Sequence, residues 1–441
     1  MYSFYIIIWY IYIIIYNFYI TNKTILPMNI TSWLDFWTTN STIWFNDWIK
    51  TELIHLWTVK KETRTVLLID EEENEVVVWT EWIDRYITWT EWRLLQSPKS
   101  YLKSREEVRV DILWKSCTLT EVIWIIIHNF KKKLEIVLDY EIDSVLLWRP
   151  VNFHDTDQNL DRLAQDRLEL AAKIAGFKNI EFQLEPLAAA KNYQITRNSW
   201  IEENVFIVDL WWWTSDFSIL NMTNKEMFVI WNKGIYIWWN DFDKKLSLNF
   251  FCELLWKWGT YKFFWSDSDI PATFYRTLSD WKKIHELGTP NNRNKIKELF
   301  LSSNDKIKFW RLKDIAEDYY LGYQYFKWVE WTKKMLSTLD TFSWNFDFFS
   351  NPFHFDISRK EFEEMISNEL ELITKTIKEL LLQSWIKAEN INKIFVTWGS
   401  SLVPIIRECV NSILWKWKIV NWDTFSSVWY WLSLESWEIF K

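Results

Sequence analysis

The chain has 441 residues, more than one hydrophobic core usually serves, so two or more domains are expected. Its formal net charge of −8 argues against non-specific nucleic-acid binding. Three widely separated cysteines, Cys117, Cys252 and Cys409, exclude a disulfide framework in favour of reduced core thiols. Five scattered histidines show no zinc spacing.

One imbalance governs the rest of the reading. The chain holds 36 Trp and only 6 Gly, whereas an ordinary globular protein carries about 7% Gly, here roughly 31 residues. Together the two types come near that figure, with a normal handful of tryptophans left over. Most Trp letters are therefore inferred to stand where the organism places glycine. The simplest route is a UGA codon read as tryptophan by one translation table and as glycine by the organism's own.

In chain order, Met1 to Ile20 form an apolar Ile/Tyr run long enough to span a bilayer. It has neither a basic start nor a small-residue cleavage site, so a secretory signal is not expected. The favoured reading is translated upstream sequence with the protein starting at Met28, and the other is a membrane-anchoring leader. Next, TSWLDFWTTNSTIWF (Thr31 to Phe45) reads as strand, Asp, turn, Thr-rich tip and second strand. The acidic run Asp70 to Glu75 reads as a solvated turn between two strands. WTEWRLLQSPKSYL (Trp89 to Leu102) places Lys99 in a polar, Pro-containing loop.

EVIWIIIHNFKKKLEIVL, within Lys115 to Asp139, has the pattern of an amphipathic helix, with Lys131 to Lys133 read as its solvent face. Ser144 to Phe153 is a strand running into a turn, and Asp161 to Phe177 a helix closed by Gly176. IEFQLEPLAAAKNY (Ile180 to Tyr193) follows as strand, Glu-Pro corner and helix, an order that fits an α/β layer.

The runs VFIV (Val205 to Val208) and FSIL (Phe217 to Leu220) are buried strands joined by DLWWWTSD (Asp209 to Asp216). Three consecutive tryptophans are poor turn residues, because a tight turn needs positive φ, which a residue lacking Cβ adopts at little cost. With glycine at Trp211, Trp212 and Trp213 the link becomes DLGGGTSD. This hairpin repeats the plan around Asp35, as two halves of an internal duplication facing one ligand would.

Trp238 and Trp239 form a further pair at a strand-to-helix turn. Phe250 to Asp340 is rich in helix, and Glu330, Lys333 and Ser337 share one helical face by their spacing of three and four. Ile357 to Ile366 opens a long helix. Ile391 to Val410 reads strand, turn, helix, with Gly399 spelled as glycine in the turn. Asn421 to Leu434 alternates Trp with small residues as a Gly-rich loop and helix would.

Glycine turns after strands cradle phosphate, because their amides point inward and no side chain blocks approach. Such turns are expected at Trp37 to Thr39, Trp211 to Thr214, Trp238 to Trp239 and Trp398 to Ser400. Two of them follow a strand-terminal Asp. Asp35 and Asp209 suit a hydrated Mg²⁺, an ion held through few carboxylates plus phosphate. Thr38, Thr39 and Thr214 supply hydroxyls to phosphate oxygens. Lys99, Glu185 and Asp216 are candidates for the lysine and the water-orienting carboxylates of phosphoryl transfer.

With Trp read as Gly, GLDFGTTNS, DLGGGTSDFS, GGNDFD, VEGTKKMLS and TGGSSLVPIIRE resemble the phosphate and adenosine motifs of the DnaK-type heat-shock protein 70 chaperone family. EPLAAAKNY resembles that family's connecting-helix motif. The resemblance runs from about Ile30 to the end, with every motif in order. It implies an α/β, actin-like ATPase fold of two lobes, each a mixed sheet with flanking helices in a ribonuclease H-like duplication. Residues 28–200 would form lobe I, with a small subdomain at about 66–139. Residues 201–441 would form lobe II, with a helical subdomain at about 246–339, and 1–27 lie outside both.

By position the resemblance implies Asp35 and Asp209 as ligands of magnesium-bound water and Lys99 as the catalytic lysine, an exposed surface lysine being the alternative. Glu185 and Asp216 would orient the attacking water, with Thr214 beside the γ-phosphate. Asp35, Trp37, Thr38, Thr39, Asn40, Trp211, Trp212, Trp213, Trp238 and Trp239 would line the phosphates. Glu330, Lys333 and Ser337 would sandwich adenosine against Trp398, Gly399 and Ser400, with Asp423 near them.

The implied cofactors are ATP or ADP with Mg²⁺, the implied location cytoplasmic, and the implied partners client or co-chaperone proteins rather than nucleic acid. Membrane contact is expected only if residues 1–20 are real. The sequence stops at Lys441, after the last ATPase motif, so it resembles the short, ATPase-only members. A filament-forming actin-like protein and a small-molecule kinase of the same fold are the alternatives, and a binding protein with literal tryptophans is a third.

Overall fold

The computed structural model describes residues 30–36, 40–46, 51–53, 63–64, 66–70, 74–78, 92–96, 101–154, 157–196, 201–210, 215–223, 225–235, 237, 239–280, 283–347, 349–397, 403–414, 419–420 and 439–440. Met1 to Ile20 and Lys99 fall outside them. Among the described residues no helix is long and apolar enough to cross a membrane.

Two sheets carry the architecture. The first contains β1 (Thr31–Phe36), β2 (Asn40–Asn46), β3 (Thr51–Leu53), β4 (Thr63–Arg64), β10 (Ser144–Arg149) and β11 (Asn179–Leu184), ordered β11-β10-β1-β2-β3 with β4 also on β2. Between them in sequence come a three-stranded sheet of β5 (Val66–Asp70), β6 (Glu75–Val77) and β7 (Trp92–Gln96), and the hairpin of β8 (Arg109–Ile112) and β9 (Lys115–Thr118). The second main sheet is ordered β14-β13-β12-β19, from β12 (Glu203–Leu210), β13 (Ser215–Met222), β14 (Met227–Ile235) and β19 (Lys393–Thr397).

Both sheets are built on one plan. An antiparallel hairpin, β1-β2 or β12-β13, takes a third antiparallel strand on one side, β3 or β14. It takes a parallel strand on the other, β10 or β19. The two hairpins that carry Asp35 and Asp209 thus share the same kinds of strand pairing on either side.

Helices α1 (Leu119–Leu138) and α2 (Gln158–Ile174) cover the first sheet. Helix α1 begins where Thr118 and Glu121 form a reciprocal capping box. Its buried stripe of Val122, Ile123, Ile126, Ile127, Phe130 and Leu134 packs with Leu34, Ile43, Val145 and Leu147 of the sheet. Each such side chain removed from water contributes about 1.5–3 kcal/mol. Helix α2 is capped by Asp157, which accepts from Asn159 and Leu160 N–H groups, and its chain leaves through Gly176 at φ +101°. The sequence assigns Lys131 to a solvent face, and the structure corrects this. Lys131 is buried, paired with Glu135 one turn on and lying over the Phe177 ring.

After β11 come α3 (Glu185–Thr196) and, beyond β14, α4 (Trp239–Leu246), which runs on as a wide turn, Ser247–Phe251. The hairpin of β15 (Thr260–Phe263) and β16 (Ser266–Asp269) then interrupts a helical region containing α5 (Ala272–Leu278), α6 (Pro290–Ser302), α7 (Lys306–Glu317) and α8 (Tyr319–Leu336). A further hairpin pairs β17 (Thr341–Phe346) with β18 (Phe353–Ser358). The long helix expected from Ile357 is two helices, α9 (Arg359–Met365) and α10 (Ser367–Ser384), broken at Ile366. Ile357 and Ser358 belong to β18, and Ser358 caps α9. Helix α11 (Pro404–Leu414) follows β19. All three cysteines are free thiols, as expected.

The tryptophans behave unlike tryptophans. Trp114, Trp256, Trp258 and Trp385 have φ between 58° and 72°, a left-handed conformation that is an outlier for a bulky residue. Trp114 is the second residue of the two-residue β8-β9 link, after Leu113 at φ 47°, where a tight hairpin wants φ > 0 at both positions and favours glycine at the second. Trp385 is the left-handed cap of α10 and is 93% exposed. On one face of the first sheet, Trp33 stacks between Trp44 and Trp148, with ring centroids 5.7 Å apart. The Trp33 indole N–H is buried with no acceptor among the described residues, a cost that native interiors rarely carry. Since Trp385 packs against little, Trp385→Gly should raise stability by about 1 kcal/mol, read as a higher urea midpoint. A lowered midpoint would show that the ring contributes there.

Candidate nucleotide site

Strand polarity assembles the candidate site. Strand β14 is antiparallel to β13, β13 to β12, and β12 is parallel to β19. The carboxyl ends of β12, β14 and β19 therefore lie at one end of the sheet. From that end issue the links through Trp211 to Thr214, Trp238, and Trp398 to Ser400. Three of the four expected cradles thus leave a single sheet edge, the place where α/β sheets bind ligands. In the first sheet β1, β10 and β11 run parallel, so Asp35 on β1 and Glu185, the first residue of α3 after β11, lie toward one carboxyl end.

Asp209 and Asp216 are Cα partners across the β12-β13 hairpin, and Asp209 is also the partner of Thr397 on β19. Asp209 is 5% exposed and Glu185 7% exposed. The last hairpin pair, Leu210 and Ser215, is pinned from below: Ser215 Oγ donates to the Ile237 carbonyl at 2.9 Å, just before α4 begins. Carboxylates at strand ends beside Thr are a donor set that fits hydrated Mg²⁺, which keeps its waters and takes few protein ligands.

Helix α8 carries the second group. Glu330, Lys333 and Ser337 follow one another along it, as the spacing requires, with Ser337 as its C-cap donating to the Lys333 carbonyl at 3.1 Å. Glu330 is 9% exposed. Burial alone would raise its pKa, but the Lys334 ammonium at 2.6 Å and Lys327 at 3.8 Å hold it down to about 2. Lys333 has no exposed side-chain surface. Its Nζ lies 2.7 Å from Asp243 Oδ2, on α4. Burial pushes Asp243 up to about 6 and Lys333 down to about 8, in each case against the pull of the partner.

Sequence reasoning missed Asp243. It lies in NDFD between Asp241 and Lys244, and nothing in one sequence separates a buried Asp from an exposed one in so polar a helix. The signal is Lys333 on the other side of the contact.

Among the other expected residues, Asp35 and Asn40 are placed by their backbones at the facing ends of β1 and β2, and Trp239 by its backbone as the first residue of α4. Trp37, Thr38, Thr39, Lys99, Trp211, Trp212, Trp213, Thr214, Trp238, Trp398, Gly399, Ser400 and Asp423 lie outside the described residues.

Residues 297–424 match a family model described as Hsp70 protein. The matched stretch contains α8 with Glu330, Lys333 and Ser337, then β19, residues Trp398 to Ser400, and α11. It covers the adenosine-side motifs that the sequence had singled out, and over those residues the chain is similar to the Hsp70 protein family.

Proposed function

We propose that the protein binds and hydrolyses ATP, as the ATPase unit of an Hsp70-type chaperone with an actin-like fold of two lobes, residues 28–200 and 201–441. The observation that carries this reading is the common carboxyl edge of β12, β14 and β19. In this reading the links that follow those three strands are amide-rich turns around one ligand, with Asp209 at the end of β12 beside them.

In this reading the backbone of 211–214 and 238–239 would cradle the β- and γ-phosphates, and Asp35 and Asp209 would hold Mg²⁺ through its waters. The ion supplies charge neutralisation. Thr214 donates to the γ-phosphate, and Glu185 and Asp216 orient the attacking water as hydrogen-bond acceptors. Glu330, Lys333 and Ser337 hold the nucleoside against 398–400. Lys99 adds positive charge where negative charge grows in phosphoryl transfer. Closure of the two lobes around the nucleotide would be the motion that a client or co-chaperone senses.

The test is ATP turnover by the full chain with glycine at Trp37, Trp211, Trp212, Trp213, Trp238, Trp239 and Trp398. Magnesium-dependent release of phosphate is expected. In that protein Lys99→Ala should lower kcat by about 10²–10³ and leave the Kd for ADP within about twofold. A glycine-form protein that ignores ATP and magnesium would refute the proposal, and unchanged turnover in Lys99→Ala would remove Lys99 from it.

A further inference from the structure

Asp243 and Lys333 form a contact between two elements that the sequence reads separately. Asp243 belongs to α4, one helical turn after Trp239 and hence one turn from the cradle at 238–239. Lys333 belongs to α8, one turn from both Glu330 and Ser337. The bond between them is 2.7 Å long, and the two side chains are 1% and 0% exposed. It ties the helix that starts at the phosphate side to the helix that carries the nucleoside side.

We propose that Asp243 is a positioning residue of the nucleotide site: by holding Lys333 it fixes the face of α8 that bears Glu330 and Ser337 at the distance from α4 that a nucleoside needs. The proposal rests on the ATP-binding function given above and adds to it a residue with no assigned role.

Two further observations favour this over a bond kept for stability alone. The second carboxylate oxygen, Asp243 Oδ1, is buried with no hydrogen-bond partner among the described residues, and so is Thr332 Oγ1 beside Lys333. A buried pair repays its desolvation only when its remaining lone pairs are satisfied. Burial also moves both groups toward their neutral forms despite their contact. The fold therefore gains little from an ionic link at this place, whereas a single geometry between α4 and α8 is what such a link specifies.

The reference for the test is the full chain with glycine at the seven positions named above. Asp243→Asn keeps the shape of the side chain and removes its charge. It should weaken ADP binding and raise the KM for ATP about tenfold, as a small misplacement of contact groups does, with kcat at saturation within about twofold. Binding of pyrophosphate, which has no sugar or base, should stay within about twofold. In a Lys333→Met background the Asp243→Asn change should add no further loss of ADP affinity, because the two act through one contact.

Where Asp243→Asn does not fold, the pair Asp243→Leu with Lys333→Met replaces it. That pair should fold and show the same loss for ADP without a loss for pyrophosphate. A reference protein that binds no ADP overturns both the function and this proposal. A reference that binds ADP, with Asp243→Asn binding it equally or losing pyrophosphate to the same extent, overturns the positioning role alone.

Discussion

Protein made with glycine at Trp211, Trp212 and Trp213 should bind ATP with magnesium at least about a hundredfold more tightly than protein made with tryptophan there. A phosphate group reaches backbone amides only where no side chain intervenes. Three indoles in a four-residue link would compete with a phosphate for those amides, and the ends of the link are held, since Leu210 and Ser215 are the last pair of the hairpin and Ser215 is tied to Ile237 at 2.9 Å. Each overpacked side chain costs about 1–3 kcal/mol where the surroundings cannot move, and 1.4 kcal/mol is already tenfold in affinity. Titration calorimetry with both proteins gives the comparison, and equal affinities would sink the idea. The intact mass of the protein from its own cell reads independently which residue is present. The conformations of Trp114, Trp256, Trp258 and Trp385 are an argument for glycine that does not depend on the nucleotide.

Much of the fold was legible because its signals are local. The β12-β13 hairpin showed as two apolar runs of strand length, and α2 as three- and four-residue periodicity closed by Gly176. The helix from Glu185 followed from the Glu-Pro corner. What failed was decided by partners distant in sequence. Lys131 looked solvated because two lysines follow it, yet Glu135 and Phe177 bury it. The break between α9 and α10 at Ile366 has neither Gly nor Pro to announce it. For the site, the three residues on α8 were legible from spacing, but Asp243 lies 90 positions from Lys333, and no local pattern joins them. The common polarity of β12, β14 and β19 is likewise a property of pairing, invisible until the strands are in register.

The buried pair also makes a prediction about stability, opposite in sign for one change and for two. Asp243→Asn or Lys333→Met alone should cost about 3–5 kcal/mol, because each leaves an uncompensated charge or an orphaned polar group with no water. Asp243→Leu together with Lys333→Met should cost nothing and gain up to about 4 kcal/mol, since apolar groups of similar volume repay their burial while an ion pair at 0% and 1% exposure does not. The gain should depend on pH. Asp243 titrates near 6 in the folded chain against about 3.9 unfolded, so its protonated form contributes stability at low pH that is lost as pH rises through 6. Lys333 titrates near 8 when folded against about 10.4 unfolded, so its neutral form contributes stability at high pH that is lost as pH falls through 8. The original chain is therefore at its relative weakest between about pH 6 and 8, and there the apolar pair should show its greatest advantage. Urea midpoints of the two proteins at pH 4.5, 7 and 10 measure the difference. An advantage that is constant across the three values, or a double replacement less stable than either single one, would mean that the two groups are not held as an ionic pair in the folded protein.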